Sequence, residues 1–338
     1  MNSDIRYIMD DIQAIIGEDR TFLGMLEHVS QLAPMDKPCL VIGERGSGKE
    51  LIAARLHYLS KRWQGPLVQV NCATLTESLL ESELFGHEAG AFTGAQTRHV
   101  GRFERADGGT LVLDEIATAA AATQEKILRV IEYGEIERVG GSQVIKLDVR
   151  VVGVTNVDLP DLARQGKFRA DLLDRLAFDV VTVPPLRARP VDIPLLAHAF
   201  ALDMTRELGR ELFAGFSADA EQALLAYSWP GNVRELKNVI ERSVYRMRPV
   251  DEPLGEIAFD PFASPWRPGA RVEAAPADAP SAADEPAVED FAAAVADFER
   301  RLLARAMADN RHNQTEAAQS LGLGYHQFRR LIKKRGVG

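Results

Sequence analysis

The sequence predicts an α/β domain built on a parallel sheet with helices on both faces, then a helical lid, then a separate all-α tail. Three observations carry this. Between residues 39 and 184, five short runs of β-branched and apolar residues alternate with helical patterns, as a sheet buried on both faces requires. After Pro184 the pattern turns wholly helical. Beyond Pro261 the stretch "PFASPWRPGARVEAAPADAPSAADEPAV" has no sustained period, and such a composition buries too little apolar surface to offset its ordering entropy, which marks a linker.

In chain order the expected strands are "CLVIGE" (39 to 44), "PLVQVNC" (66 to 72), "TLVLDE" (110 to 115), "VRVVGVTN" (149 to 156) and "DVVTVP" (179 to 184). Helical patterns such as "SGKELIAARLHYLS" and "AATQEKILRVIEYG" separate them, and "DIPLLAHAFALDMTREL", "SADAEQALLAYS" and "NVRELKNVIERSVYRM" build the lid. The expected boundaries are 1–16 for an N-terminal segment, 17–185 for the α/β part, 186–255 for the lid, 256–288 for the linker and 289–338 for the tail. No internal repeat is evident.

Composition narrows the function classes. The 338 residues are 46% hydrophobic, ordinary for globular domains. No apolar run approaches the roughly 18 residues of a membrane span, and "MNSDIRYIMDDIQAIIGEDR" lacks the basic-then-apolar order of a secretory signal, so a cytoplasmic location is expected. Two cysteines, Cys39 and Cys72, are too few for a disulfide framework or a Cys-based zinc site and suit a reducing compartment. The net charge of -9 argues against wholesale nucleic-acid binding by the body. From Glu299 to Gly338, however, nine Lys and Arg face three acids, a local charge of +6: a small basic tail on an acidic body.

The first strand runs into "GERGSGKE", Gly43, Glu44, Arg45, Gly46, Ser47, Gly48, Lys49 and Glu50, and then into a helix. Glycines let backbone N–H groups face phosphates, Lys49 adds a point charge, and the helix N-terminus adds its dipole. Glu50 departs from the usual Ser or Thr, the position that normally ligates magnesium. The third strand ends in Asp114-Glu115. Two adjacent acids ending a buried strand are costly unless they face a cation; in nucleotide hydrolases one such carboxylate, here Asp114, orients magnesium and the next polarises the attacking water. Asn71 closes the second strand and Thr155-Asn156 the fourth, either as turn residues or as groups that sense the γ-phosphate or hold Glu115.

In "FRADLLDRL", Arg169 and Arg175 are six apart and about 240° out of phase on one helix, so one is expected to precede it. They are either surface arginines or guanidinium groups reaching a neighbouring subunit's nucleotide. "WPGNVREL" starts a helix with Arg234 in its first turn, placed to reach back from the lid. "ELFGHEAGAFTGAQ" carries Phe92 and Thr93 between glycines, on a mobile arm or on a surface loop whose ring packs back on its own domain.

The ordered set "GERGSGKE", "ESELFGHEAGAFTGA", "GGTLVLDEI", "FRADLLDRLAFDVVTVPPLRAR" and "WPGNVREL" resembles the AAA+ P-loop NTPase domain of bacterial enhancer-binding proteins that activate sigma-54 RNA polymerase, over roughly residues 17–250. Glu follows the P-loop Lys as a rule in that family, which accommodates Glu50. The resemblance implies ATP and Mg2+ as cofactors, ATP hydrolysis, and assembly into a ring, usually hexameric, with Arg169 and Arg175 acting across the subunit boundary. It also implies that Asn71 switches Glu115, that Thr155-Asn156 and Arg234 sense nucleotide, and that Phe92 and Thr93 contact sigma-54.

The tail reads on its own: "AVADFERRLLARAMADN" is amphipathic, and two short helices with a tight turn follow, Asn313 capping "QTEAAQSLG", Gly322 and Gly324 framing the turn, and "YHQFRRLIKKRG" forming the basic second member. That describes a helix-turn-helix, or else a basic hairpin that binds a partner protein. In the first case Tyr325, His326, Gln327 and Arg330 lie near bases, and Arg329, Lys333, Lys334 and Arg335 on phosphates of double-stranded DNA. The tail resembles the Fis-type domain that ends this family.

The motifs begin almost at once, so no sensory domain is expected ahead of them and control falls to a separate protein. The layout, with the wording of "HYLSKRWQGP" and "GYHQFRRLIKK", is similar to a branch of the family restrained by a membrane-stress-responsive repressor that binds the AAA+ domain. Trp63 is a candidate docking residue for such a negative regulator, or a cap on its own domain. Two other classes stay open on residues alone: an ATP-fuelled protein remodeller or unfoldase with the tail as adaptor, and a repressor using nucleotide only as an allosteric ligand.

Overall fold

The computed structural model describes residues 15–264, 266–267, 291–310 and 313–336. The chain divides into two units, 1–262 and 263–338. Most of the expected linker and the first 14 residues lie outside the described residues.

In the first unit, helix α1 (Arg20–Leu32) precedes β1 (Cys39–Ile42), α2 (Lys49–Tyr58), β2 (Leu67–Asn71), α3 (Glu77–Phe85), α4 (Arg102–Arg105) and β3 (Thr110–Asp114). There follow α5 (Ala121–Tyr133), β4 (Glu135–Glu137), β5 (Val144–Lys146), β6 (Arg150–Thr155), α6 (Leu159–Arg164), α7 (Ala170–Leu176) and β7 (Val180–Thr182). The main sheet has the order β2-β3-β6-β1-β7 and every pairing in it is parallel. All five expected strands are present. Alternate residues of one strand serve opposite cores: Leu111 and Leu113 join Phe85, Phe103, Ile127 and Leu172 on one face, while Val112 joins Val29, Ile52, Leu56 and Val154 on the other. This is the period of two in a sheet covered on both sides.

β4 and β5 form an antiparallel hairpin outside the main sheet, and the sequence reading did not foresee them. Each is three residues long, below the length at which alternation stands out, although "EIE" and "VIK" flanking Gly140-Gly141 carry the signal in retrospect.

The lid consists of α8 (Asp192–Glu207), α9 (Ala218–Ala226) and α10 (Asn232–Arg246). They pack around Trp229, Leu236, Ile240 and Val244, and the Trp229 Nε1–H donates to the Leu224 carbonyl at 2.9 Å. Ile257 and Phe259 also pack against this core, Phe259 stacking on Tyr227 at 4.6 Å. The lid's packing therefore runs past 255, because two apolar residues in a polar stretch find an aromatic surface. Within the expected N-terminal segment, Ile16 likewise packs against the lid core and Ile15 against the sheet core.

The second unit holds α11 (Phe291–Asp309), α12 (Gln314–Ser320) and α13 (Tyr325–Arg335). Leu303, Met307, Ala317, Ala318 and Phe328 form its core. Asn313 caps α12 as expected, its side chain accepting from the N–H groups of Thr315 and Glu316. Among the described residues no helix is long and apolar enough to cross a membrane.

Candidate functional site

A cavity of about 1120 Å³ opens where the carboxyl ends of the strands meet the lid, the place where open α/β sheets bind ligands. Arg45, Gly46, Ser47, Gly48, Lys49, Glu50, Asn71, Asp114, Glu115, Asn156 and Arg234 all line it. Residues from four strand ends and the lid thus converge. Gly43, Glu44, Thr155, Arg169 and Arg175 are not part of that wall.

Local chemistry explains the phosphate loop. No side chain caps the N-terminus of α2, whose N-cap Gly48 has φ 97°, leaving first-turn N–H groups for a ligand. Ser47 Oγ and Lys49 Nζ both donate to the Glu44 carbonyl, at 2.8 and 3.1 Å, which folds the loop back on itself. Lys49 is 8% exposed, and burial pushes its ammonium down from the usual lysine value, opposed by the carboxylates of Glu115, Asp114 and Glu50. Gly46 must be glycine: its φ is 76°, and a Cβ would stand 2.3 Å from the Gly231 carbonyl. That approach seats the lid on the loop, where the Arg234 N–H donates to the Gly46 carbonyl at 3.2 Å.

Glu44 faces the lid instead of the cavity. Its carboxylate pairs with Arg187 and accepts from Asn232 Nδ2 at 3.1 Å; these hydrogen bonds, Arg187's first, lower its pKa to about 2. Asn232, expected only to start α10, is fully buried and also bonds the Arg45 carbonyl and the Leu186 N–H. It clips lid to loop, and Glu235 takes over at the helix start by accepting from the Gly231 N–H at 2.7 Å.

The two acids differ. Asn71 lies beside Asp114 in register, and its Nδ2 donates to Asp114 Oδ2 at 2.7 Å. The expected partner was Glu115; parallel pairing places Asn71 against the strand residue, while Glu115 has turned off the strand in the left-handed conformation, φ 49°. A non-glycine residue there is strained, a condition that gathers at functional positions. The Glu115 carboxylate makes no hydrogen bond or ion pair among the described residues and faces the cavity. Of Thr155-Asn156, only Asn156 reaches the cavity: Thr155 is buried and its Oγ1 accepts from the Val157 N–H.

Arg169 precedes α7 as its N-cap and pairs with Asp171 and Glu125. Arg175 lies in the helix's last turn, bonded to Glu132 at 2.8 Å.

The loop after α3 closes at its base through Gly90 N–H to the Ala95 carbonyl at 2.7 Å, with Gly90 and Gly94 at positive φ. Phe92 is 44% exposed, its ring edge-on to His87 at 5.0 Å, and Thr93 is exposed. The β4–β5 hairpin supports this loop: Arg138 bonds Glu88 at 2.7 Å and Glu104 at 2.9 Å, and a Cβ at Gly140 would stand 2.6 Å from that of Ala91. Trp63 is 56% exposed, beside Arg62, which Asp36 and Asp148 clamp at 2.7 and 2.6 Å.

In the second unit Phe328 turns inward, and Tyr325, His326, Gln327, Arg329, Arg330, Lys333 and Lys334 are exposed on α13. Arg335, expected on phosphate, is half-buried and bonded to Glu299 at 2.7 Å, so its charge is spent within the domain.

A phosphate-type loop, strand-end acids, a helical lid and a basic three-helix tail define a class, and comparison with known proteins identifies it. Residues 15–182 match the Sigma-54 interaction domain, 187–252 the AAA+ ATPase lid domain, and 294–334 the Fis family of bacterial regulatory proteins. The Psp operon transcriptional activator of Escherichia coli (strain K12) is 58% identical over 327 residues, 96% of this chain and 98% of that protein. The transcriptional regulatory protein FlbD of Caulobacter vibrioides is 39% identical, covering 97% of this chain and 71% of its own length. Among solved structures, NtrX from Brucella abortus in complex with ATP superimposes with a TM-score of 0.68 at 32% identity, over 99% of this chain and 72% of that one. The chain belongs to the sigma-54-dependent transcriptional activators, with an AAA+ domain and a Fis-type DNA-binding helix-turn-helix.

Proposed function

We propose that this activator hydrolyses ATP in the cavity under its lid and uses the cycle, in a ring of subunits, to remodel the sigma-54 RNA polymerase closed complex. The observation that carries the reading is the meeting of Lys49, Asp114, Glu115 and Arg234, from three separate elements and the turn after β3, in one cavity. The phosphate loop, the uncapped α2 and buried Lys49 make a cradle for the β- and γ-phosphates. Glu115, without a side-chain partner among the described residues, is placed to orient and deprotonate the attacking water. Asn71 fixes Asp114 and leaves Oδ1 uncommitted, and Arg234 brings positive charge from the lid.

Magnesium fits this donor set. It binds through one or two carboxylates together with substrate phosphates, so Asp114 would hold it, and it would neutralise charge developing on the phosphates. Glu50 lies in the first turn of α2 in place of the usual hydroxyl ligand.

Phe92 and Thr93, on the glycine-flanked loop, contact sigma-54 in this reading, and Arg169 and Arg175 complete the site of a neighbouring subunit. The tail reads DNA upstream of promoters with Tyr325, His326, Gln327 and Arg330 at bases and Arg329, Lys333 and Lys334 on phosphates. The near full-length similarity to a Psp operon activator supports control of a phage-shock operon, with a negative regulator docking at or near Trp63.

Two variants test the site. Lys49→Ala is expected to abolish nucleotide binding; Glu115→Ala is expected to keep binding and to lose turnover by about 10²-fold or more. Hydrolysis by Glu115→Ala at the wild-type rate would overturn the role given to that carboxylate.

A further inference from the structure

Arg189 ends the segment "FRADLLDRLAFDVVTVPPLRAR" and Asp192 opens the lid; neither was given a role by the sequence, yet they stand where three parts of the first unit meet. Their side chains are 2% and 0% exposed, a placement charged groups hold only with partners. Arg189 Nη2 donates to the Ser47 carbonyl of the phosphate loop at 3.3 Å. The guanidinium lies 4.4 Å from the centre of the Phe22 ring, and Nη1 is 3.8 Å from Asp192 Oδ2. Asp192 is the first residue of α8, and its Oδ1 accepts from the N–H groups of Glu18 at 2.7 Å and Asp19 at 2.9 Å.

Those two amides belong to the extended strap 15–19. Ile15 and Ile16 line the cavity while packing, respectively, on the sheet core and the lid core. Gly17 threads between: a Cβ there would lie 2.4 Å from the Phe22 ring and 2.9 Å from Asp192 Oδ2. With Leu196, Phe200 and Val233 the strap gives the cavity an apolar wall, which phosphates do not need and a flat heteroaromatic base does. Among the described residues Arg189 Nε and Asp192 Oδ2 lack hydrogen-bond partners, so the pair keeps bonding capacity buried at this junction.

We propose that Arg189 and Asp192 are positioning residues for the base of the nucleotide: they staple strap 15–19 across the apolar wall and tie it, through Ser47, to the phosphate loop. Base and phosphates are then gripped by one connected unit, and the lid, through Asp192, moves with it. The proposal rests on the cavity being the ATP site.

The test compares dissociation constants of the full-length protein for ATP and for inorganic tripolyphosphate, both with magnesium. Asp192→Asn is expected to weaken ATP about tenfold, the size of losing a hydrogen bond to a charged group, and to leave tripolyphosphate within about twofold. Gly17→Ala, whose Cβ would crowd the Phe22 ring and Asp192 Oδ2 and so push the strap away while both charged side chains are retained, is expected to give the same selective loss, and it decides the matter if Asp192→Asn fails to fold. Equal loss of both ligands, or no loss of either, would overturn the proposal. Wild-type protein that bound neither would overturn the ATP-site reading underneath it, and Lys49→Ala, losing both ligands alike, marks the loss of phosphate binding for comparison.

Discussion

Asn71 and Asp114 are 43 residues apart in sequence, and their hydrogen bond exists because β2 and β3 pair in one particular register. Residue types at strand ends were legible; which carboxylate the amide would meet was not, since register is a tertiary property. Glu44 makes the same point from the other side. It sits inside the phosphate-loop motif, yet its carboxylate serves the lid through Arg187 and Asn232. With its pKa lowered from 4.5 to about 2, this contact contributes stability that is complete above pH 4.5 and is lost as pH falls through about 2. Glu44→Gln is therefore expected to melt below wild type at pH 6, with the gap closing between pH 4.5 and 2. A gap constant across that range would contradict the assignment.

At the scale of elements, long patterned segments were read correctly and short ones were missed. The five strands of the sheet and the helices of lid and tail announce themselves by period and capping; the β4–β5 hairpin, three residues to a strand, does not, although it holds Arg138 against the Phe92 loop. Helix α13 allows a clean division of labour. Phe328 fills the centre of the tail's core, and Phe328→Ala is expected to cost about 3–5 kcal/mol. That is as much as so small a domain holds, so circular dichroism of the tail and DNA binding should be lost together. Arg330→Ala should instead keep the fold and weaken specific binding by about 1–3 kcal/mol, and Lys333→Ala should weaken all sequences alike and reduce the salt slope by about one. Equal specificity loss in both variants would contradict the division between base and phosphate contacts.

For the whole molecule, the cavity gathers Lys49, Asp114, Glu115 and Arg234 but neither Arg169 nor Arg175, which stand elsewhere on the surface paired with acids of their own chain. The order of motifs made the family legible; the inward convergence of strap, loop and lid on Arg189 and Asp192 was not, because no local pattern marks a buried pair whose partners lie about 140 and 170 residues away. If the arginines complete a neighbour's site, Glu115→Ala and Arg175→Ala are each inactive alone, and an equal mixture recovers about a quarter of wild-type turnover by random assembly in a ring. No recovery, with ring formation intact, would place Arg175 outside the composite site.

The central claim is that hydrolysis in this cavity drives the Phe92-Thr93 loop against sigma-54. The most direct measurement is ATP-dependent open-complex formation on a sigma-54 promoter with purified polymerase, comparing wild type with Thr93→Ala. Wild type is expected to open the promoter, while Thr93→Ala hydrolyses ATP at a similar rate and leaves it closed. Wild-type protein that consumed ATP on several such promoters without opening any, or a Thr93→Ala variant that opened them as well as wild type, would contradict it.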